Sequence, residues 1–310
     1  MKFERMDAVR AGAPAHPSEV RQAMETTPPT STGDRGARIL FLFLLTINNS
    51  GSTALAQVLG TSPHVYLPRW GNNEGQFVPG VRKVMRQRPW DPEQKYPWEE
   101  IRARWESIVP MDKSIFLEKS PPNIIRAQEI LRHFSDVAFL TLVSNPYSFL
   151  GSSWYRYCSL LDYERYFVKA AMNWLTMARY QIDNLRKLPR NLLVTYEQFC
   201  DNNRECCESV LRHVPELEAI ASDTGVKVKG SASLVRNENT RNILTIPAAH
   251  LSAINKVFAS QMEVLDYFGY GLLNEAAYEA LMADRDSLSR AQARRADKDR
   301  RIKARRGVAL

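Results

Sequence analysis

The segment Thr46–Leu55, T-I-N-N-S-G-S-T-A-L, gathers residue types that can hold an anion. It follows an apolar run, Ile39–Ile47, and leads into a helical pattern, Ala54–Leu59, so a buried strand turns at a glycine into a helix N-terminus. The first turn of a helix carries N–H groups without intrahelical partners at the positive end of the helix dipole. Gly51 lets the backbone approach an anion closely, and the hydroxyls of Ser50, Ser52 and Thr53 add donors. Aligned on the phosphate-binding pattern G-x-x-x-x-G-K-[ST], Thr46 takes the place of the first glycine and Ser52 that of the lysine. The loop has the right length without the cation that neutralises a terminal phosphate, which argues against an ATPase or kinase. The same turn also suits a helix cap with no ligand, and on these residues alone the two readings stand level.

The elements that must position this turn alternate. The patterns predict strands at Ile39–Ile47, Ile115–Leu117, Val137–Val143 and Asn191–Val194. They predict helices at Ala54–Leu59, Val78–Arg88, Glu99–Ile108, Ile124–Phe134, after Pro146, and over Tyr163–Leu188, Glu197–His213 and Leu251–Phe268. Continuous rather than alternating apolar strands are buried on both faces, and this recurrence predicts an α/β fold with a parallel sheet between helices. Residues 1–35, rich in Pro, Gly, Ser and Thr, read as a disordered arm; 36–273 read as the folded domain; 274–310 read as a basic helical or disordered tail in which nothing past Leu288 is core. Gly225–Ala248 reads as a polar loop able to fold over a ligand.

Composition narrows the class. With 310 residues, 44% hydrophobic and 25% charged, the chain can bury a sizeable core. Cys158, Cys200, Cys206 and Cys207 form no C-x-x-C pair, which suits a reduced compartment. The longest apolar run is far below the ~20 residues of a spanning helix, and M-K-F-E-R-M-D lacks the apolar core of a secretory signal, so the expected compartment is the cytoplasm. Net charge is +8, and between Asp284 and Arg306 ten Lys/Arg stand against four Asp/Glu, so most of the surplus lies in the tail. No groove-reading motif accompanies it, so no specific nucleic-acid partner is expected; the tail offers contacts to an anionic acceptor or membrane surface.

Taken in order, x-S-G-S-T-x-L after a strand, E-K-S-P-P-N at Glu118–Asn123, N-P-Y-x-x-x-x-S-S at Asn145–Ser153 and L-V-T-Y-E at Leu193–Glu197 resemble the sulfotransferase family over about Arg38–Leu273. The resemblance implies a three-layer P-loop-like α/β fold with a central parallel sheet flanked by helices. It implies 3′-phosphoadenosine 5′-phosphosulfate (PAPS) as donor, its bisphosphate (PAP) as product and no metal. Ser50, Gly51, Ser52 and Thr53, flanked by Asn48, Asn49 and Ala54, match the 5′-phosphosulfate loop, and Ser152 matches the 3′-phosphate serine. The strand-end position that carries arginine in the family is Ser144 here, and the basic residue before S-G-S-T is Asn49. A charge-assisted hydrogen bond to phosphate contributes about 1.5–3 kcal/mol, so other cations have to stand in for these two; Arg236 and Arg241 in the late polar loop are the candidates.

Glu74, in G-N-N-E-G-Q, resembles the family's glutamate base, with Glu118 as its rival, and Lys119 resembles the lysine that neutralises charge on the bridging oxygen. None of the five histidines stands in a matching motif. The expected activity is sulfuryl transfer by in-line displacement to a hydroxyl or amine of a carbohydrate, peptide or small molecule. The alternative is a catalytically silent relative acting as a scaffold through its basic tail.

Overall fold

The computed structural model describes residues 38–159, 162–228 and 231–305; the arm expected over residues 1–35 lies outside them. Strand β1 (Leu40–Thr46) lies at the centre of a five-stranded sheet, between β3 (Ile115–Glu118) and β4 (Val137–Val143). The outer strands are β2 (Val65–Tyr66) and β5 (Asn191–Thr195), and the order β2-β3-β1-β4-β5 is parallel throughout. Every residue of β1 is buried. Because side chains alternate across a strand, Leu40, Leu42 and Leu44 enter one core with Leu55, Val58 and Leu59, while Phe41, Phe43 and Leu45 enter another with Trp98, Trp105 and Phe134. Two cores on opposite faces of one sheet give the three-layer α/β architecture that the sequence predicts.

The helices that build those layers are α1 (Ser52–Leu59), α2 (Arg82–Met85), α3 (Trp98–Glu106), α4 (Ala127–His133), α5 (Pro146–Tyr157), α6 (Tyr163–Lys187), α7 (Tyr196–Asp201) and α8 (Asn203–His213). A short antiparallel pair, β6 (Val226–Val228) with β7 (Ser231–Ser233), precedes α9 (Asn239–Leu244), α10 (Leu251–Ala259), α11 (Met262–Tyr267), α12 (Glu275–Leu281) and α13 (Arg285–Arg305). Among the described residues no helix is long and apolar enough to cross a membrane, and no disulfide joins the four cysteines.

Local signals explain most boundaries. Asn145 accepts the N–H groups of Tyr147 and Ser148 and Pro146 occupies the first turn, so N-P starts α5 where β4 ends. Thr195 and Gln198 form a reciprocal capping box that starts α7 directly after β5. Five expectations need correction. The single helices predicted over Glu197–His213 and Leu251–Phe268 are each broken in two, as α7 with α8 and α10 with α11. The helix predicted over Val78–Arg88 is only α2, because the Gly80 turn delays it. The Gly225–Ala248 stretch is partly ordered as β6, β7 and α9. The segment past Leu288 does contribute core: Ala291 and Ile302 on α13 are buried.

Helix α13 earns its place by an unusual stripe. Ser287, Ala291, Lys298 and Ile302, spaced four, seven and four residues apart, are its buried face. Arg295 donates to the carbonyls of Leu244, Thr245 (3.0 Å) and Ile246 (2.8 Å) at the C-terminal end of α9, and Lys298 donates to the Tyr155 carbonyl (2.9 Å) in the last turn of α5. Cations thus meet the unpaired carbonyls and negative dipole ends of two helices. The α5–α9 contact is close enough to require Gly151: a Cβ there would sit 1.8 Å from the Asn242 carbonyl oxygen. Gly151→Ala should therefore destabilise the fold by about 1–3 kcal/mol, the range for overpacking against a neighbour that cannot yield. Thermal unfolding checks it, and an unchanged Tm would show that the two helices can part.

Candidate functional site

The sheet's topology reverses between β1, β3 and β4, and the crevice at their C-terminal ends is where open α/β sheets place ligands. The turn after β1 is wound by two residues in the left-handed region, Asn49 (φ 66°) and Gly51 (φ 84°). No side chain caps α1, and the Ala54 N–H returns to the Gly51 carbonyl (3.0 Å). Asn48 and Thr53 are half-buried at its edge, and the Ser52 side chain is buried. The Ser50 hydroxyl and the Asn49 Nδ2 are buried without a partner among the described residues, and so is the Ser144 hydroxyl at the end of β4. These three unpartnered atoms sit at the ends of neighbouring strands, where a polar ligand would satisfy them.

β3 delivers Glu118 and Lys119 to the same crevice. Lys119 is 1% exposed; its Nζ donates to Thr53 Oγ1 (3.3 Å) and lies 3.4 Å from Glu74 Oε1. Burial pulls the Lys119 pKa down, and the facing Glu74 carboxylate opposes that fall. Glu74 projects from a tight loop in which its N–H donates to the Trp70 carbonyl (3.2 Å) and its carbonyl accepts from Phe77 (3.0 Å); Gln76 donates to its second carboxylate oxygen. The sequence-derived trio therefore separates. Glu74 and Lys119 face the turn, while Glu118 points into protein, accepting from the Gly75 N–H (2.5 Å), the Ser120 N–H (2.9 Å) and Asn123 Nδ2 (2.9 Å). The Glu118 and Lys119 side chains, at the end of a strand, are both buried rather than exposed to solvent.

Two residues of the L-V-T-Y-E motif tie the crevice to the late segment. The Tyr196 ring packs on Gly51, so closely that any Cβ there would start 2.4 Å from it. Its hydroxyl donates to the Arg236 carbonyl (3.0 Å) and accepts from the Glu238 N–H (3.2 Å). Glu197 accepts from the Asn145 N–H (3.0 Å), from Asn239 Nδ2 (2.6 Å) and from the Tyr270 hydroxyl (2.9 Å), joining β4, α9 and the segment after α11. The motif's spelling gave no hint of these anchoring roles.

The remaining sequence-derived residues are spread along this wall. Ser152 is buried on α5, one turn beyond Ser148. Arg241 is half-buried and pairs with Glu238 (3.1 Å), and burial lowers its pKa. The Arg236 guanidinium is exposed and pairs with Asp286 (3.1 Å). Sequence reasoning missed Arg156, whose guanidinium reaches Asn49 Oδ1 at 3.5 Å, bringing a cation to the turn from the last turn of α5. Beside the Glu74 loop lies a cleft of about 630 Å³ lined by Trp70, Phe77, Pro79, Arg82, Lys83 and Arg86. Arg86 and Arg82 stack on Phe77 (5.0 and 5.7 Å to the ring centre), and neither they nor Lys83 meets a carboxylate among the described residues. Trp98 and Trp105, by contrast, are core.

Burial pushes the Glu118 carboxyl up to about 7, against its hydrogen bonds from Ser120 and Gly75 and with the Glu74 charge adding to the rise. An unfolded chain releases this proton near 4.5, so the folded state holds more protons across that window. Stability from this group is complete below about pH 4.5 and is lost as pH climbs through about 7. Glu118→Gln should flatten the fall of Tm across that interval relative to the unaltered chain; parallel melting curves would assign the ionisation to another group.

No family model matches the chain, and no curated protein matches it. Solved structures do. The sulfotransferase domain from the Synechococcus PCC 7002 olefin synthase is 18% identical, with 78% of this chain and 99% of that chain covered and a TM-score of 0.44. Sulfotransferase STF9 from Mycobacterium avium is 14% identical, with 76% and 78% covered and a TM-score of 0.49. Retinol dehydratase in a complex with retinol and PAP is 11% identical, with 84% and 81% covered and a TM-score of 0.32. Sulfotransferase domains are thus what this α/β chain is similar to among solved structures.

Proposed function

We propose that the chain transfers a sulfuryl group from PAPS to an acceptor hydroxyl or amine. The observation that carries this reading is Lys119 Nζ, 3.3 Å from Thr53 Oγ1 and 3.4 Å from Glu74, at the turn whose Ser50 hydroxyl, like that of Ser144, has no partner among the described residues. A base, a cation and a donor-lined anion turn converge there, in the order the motifs imply. The orphaned donors fit an anionic group: the turn from Asn48 to Ala54 would hold the 5′ end of the donor, and Ser144 and Ser152 its 3′ end. The donor supplies the sulfuryl group, which exchanges a phosphate oxygen for the acceptor oxygen or nitrogen.

In this reading Glu74 takes the proton released by the acceptor as its new bond to sulfur forms. Lys119 offsets the negative charge left on the departing phosphate oxygen, and its burial strengthens that effect. Glu118 is the poorer candidate for the base, because both its oxygens already accept N–H groups and none of its surface is open to an acceptor. Its part is to hold Gly75 and Ser120, and with them the Glu74 loop. Glu74→Gln should leave PAP affinity within about twofold, measured by calorimetry, and lower turnover of labelled PAPS at least a hundredfold, about the contribution of general base catalysis. Turnover near the original rate would remove Glu74 as base, and failure of the unaltered chain to bind PAP would remove the donor.

The cleft next to Glu74 supports an anionic acceptor, since its aromatic floor carries three cations that meet no carboxylate among the described residues. A uronic-acid oligosaccharide should be preferred to its neutral counterpart. Replacing Arg82, Lys83 and Arg86 together by serine should raise its KM about tenfold, in line with a few exposed charge contacts, and leave PAP binding alone. Equal use of both sugars would point to a neutral acceptor.

A further inference from the structure

Four guanidinium groups crowd the wall built by α9 and α13, and three of them share two carboxylates. Glu238 serves Arg241 and Arg290 (each 3.1 Å), and Asp286 serves Arg236 (3.1 Å) and Arg290 (3.0 Å). Arg294 has no carboxylate partner among the described residues. One of its nitrogens donates to Asn242 Oδ1 (2.7 Å), and its guanidinium lies 4.1 Å from the centre of the Tyr155 ring. Burial, with the Arg241 charge beside it, pushes the Arg294 pKa to about 10, so it remains a cation at neutral pH. The Nε atoms of Arg241 and Arg290 are buried without partners among the described residues. Positive charge has been gathered, partly dried and left in surplus, an arrangement that an anion would relieve.

The place is defined by α5. Asn242 Nδ2 donates to the Ser148 hydroxyl (3.1 Å), the Asn242 carbonyl presses on Gly151, and Arg294 covers Tyr155. Ser152, four residues after Ser148 and three before Tyr155, shares that helical face. Arg294 therefore runs along the face that carries the serine matching the 3′-phosphate position. The fork of a guanidinium suits a phosphate in a way that a hydroxyl at Ser144 does not.

We propose that Arg294, with Arg241, holds the 3′-phosphate of the nucleotide beside Ser152, so that helix α13 supplies the charge missing at Ser144. The inference rests on the donor reading above. It also reassigns part of the basic C-terminal segment from partner binding to the nucleotide site.

Calorimetry on the full chain tests it with two probes, adenosine 3′,5′-bisphosphate and AMP. The unaltered protein should bind the bisphosphate at least tenfold more tightly. Arg294→Gln should weaken the bisphosphate about ten- to a hundredfold, the value of a charge-assisted contact, and leave AMP unchanged. Arg295→Met, which removes only contacts to carbonyls and the Tyr278 hydroxyl, should lower Tm without altering the ratio of the two affinities. Hydrogen exchange on the unaltered protein gives a readout independent of any variant: the bisphosphate, and not AMP, should slow exchange across α13. Selective bisphosphate binding that survives Arg294→Gln, or no slowing across α13 with the bisphosphate bound, overturns this inference alone. Binding of neither probe by the unaltered chain overturns the donor reading and this inference with it.

Discussion

Two consecutive ionisable residues, Glu118 and Lys119, end β3 inside the protein, and a buried charge persists only where other groups replace its water. Much of the crevice answers that demand. Glu118 is met by two backbone N–H groups and Asn123, which fixes the Glu74 loop and the chain leaving β3. Lys119 is met by Glu74 and Thr53, which sets the loop against the turn after β1. A pair of side chains pointing opposite ways from one strand end thus aligns three segments far apart in sequence. The same crowding explains why the cation is strong where it faces the turn: little solvent reaches it.

The fold was readable because its signals are local and redundant. Apolar runs without alternation marked β1 and β4, and N-P and the capping box marked where helices begin. The two-residue β2 carried no such signal, since Val65 and Tyr66 are held by pairing to β3 rather than by their own pattern. Residues that the sequence singled out far apart do come together: Lys119 meets both Thr53 of the turn and Glu74. The sequence could not rank Glu118 against Glu74, because the difference lies in which carboxylate finds N–H partners, a tertiary matter. Arg156 escaped for a related reason: its reach to Asn49 depends on the course of α5 across the crevice.

The C-terminal segment shows how composition can mislead. Ten basic residues in a short stretch look like a free polyelectrolyte, yet Arg290, Arg294, Arg295, Lys298 and Arg301 all have internal partners. The buried stripe of α13 uses Ser, Ala and the stem of a lysine where large apolar residues would ordinarily announce a core face. A search restricted to bulky side chains passes over it, whereas the four- and seven-residue spacing of Ser287, Ala291, Lys298 and Ile302 carries the pattern.

The capping of α9 and α5 by Arg295 and Lys298 has a consequence for the order of assembly. During synthesis, the five strands and the turn after β1 leave the ribosome long before residue 295, and domains can begin to fold as they emerge. The ends of α9 and α5 nevertheless keep unpaired carbonyls until α13 arrives. One wall of the crevice can therefore close only after the strands and the turn have been synthesised.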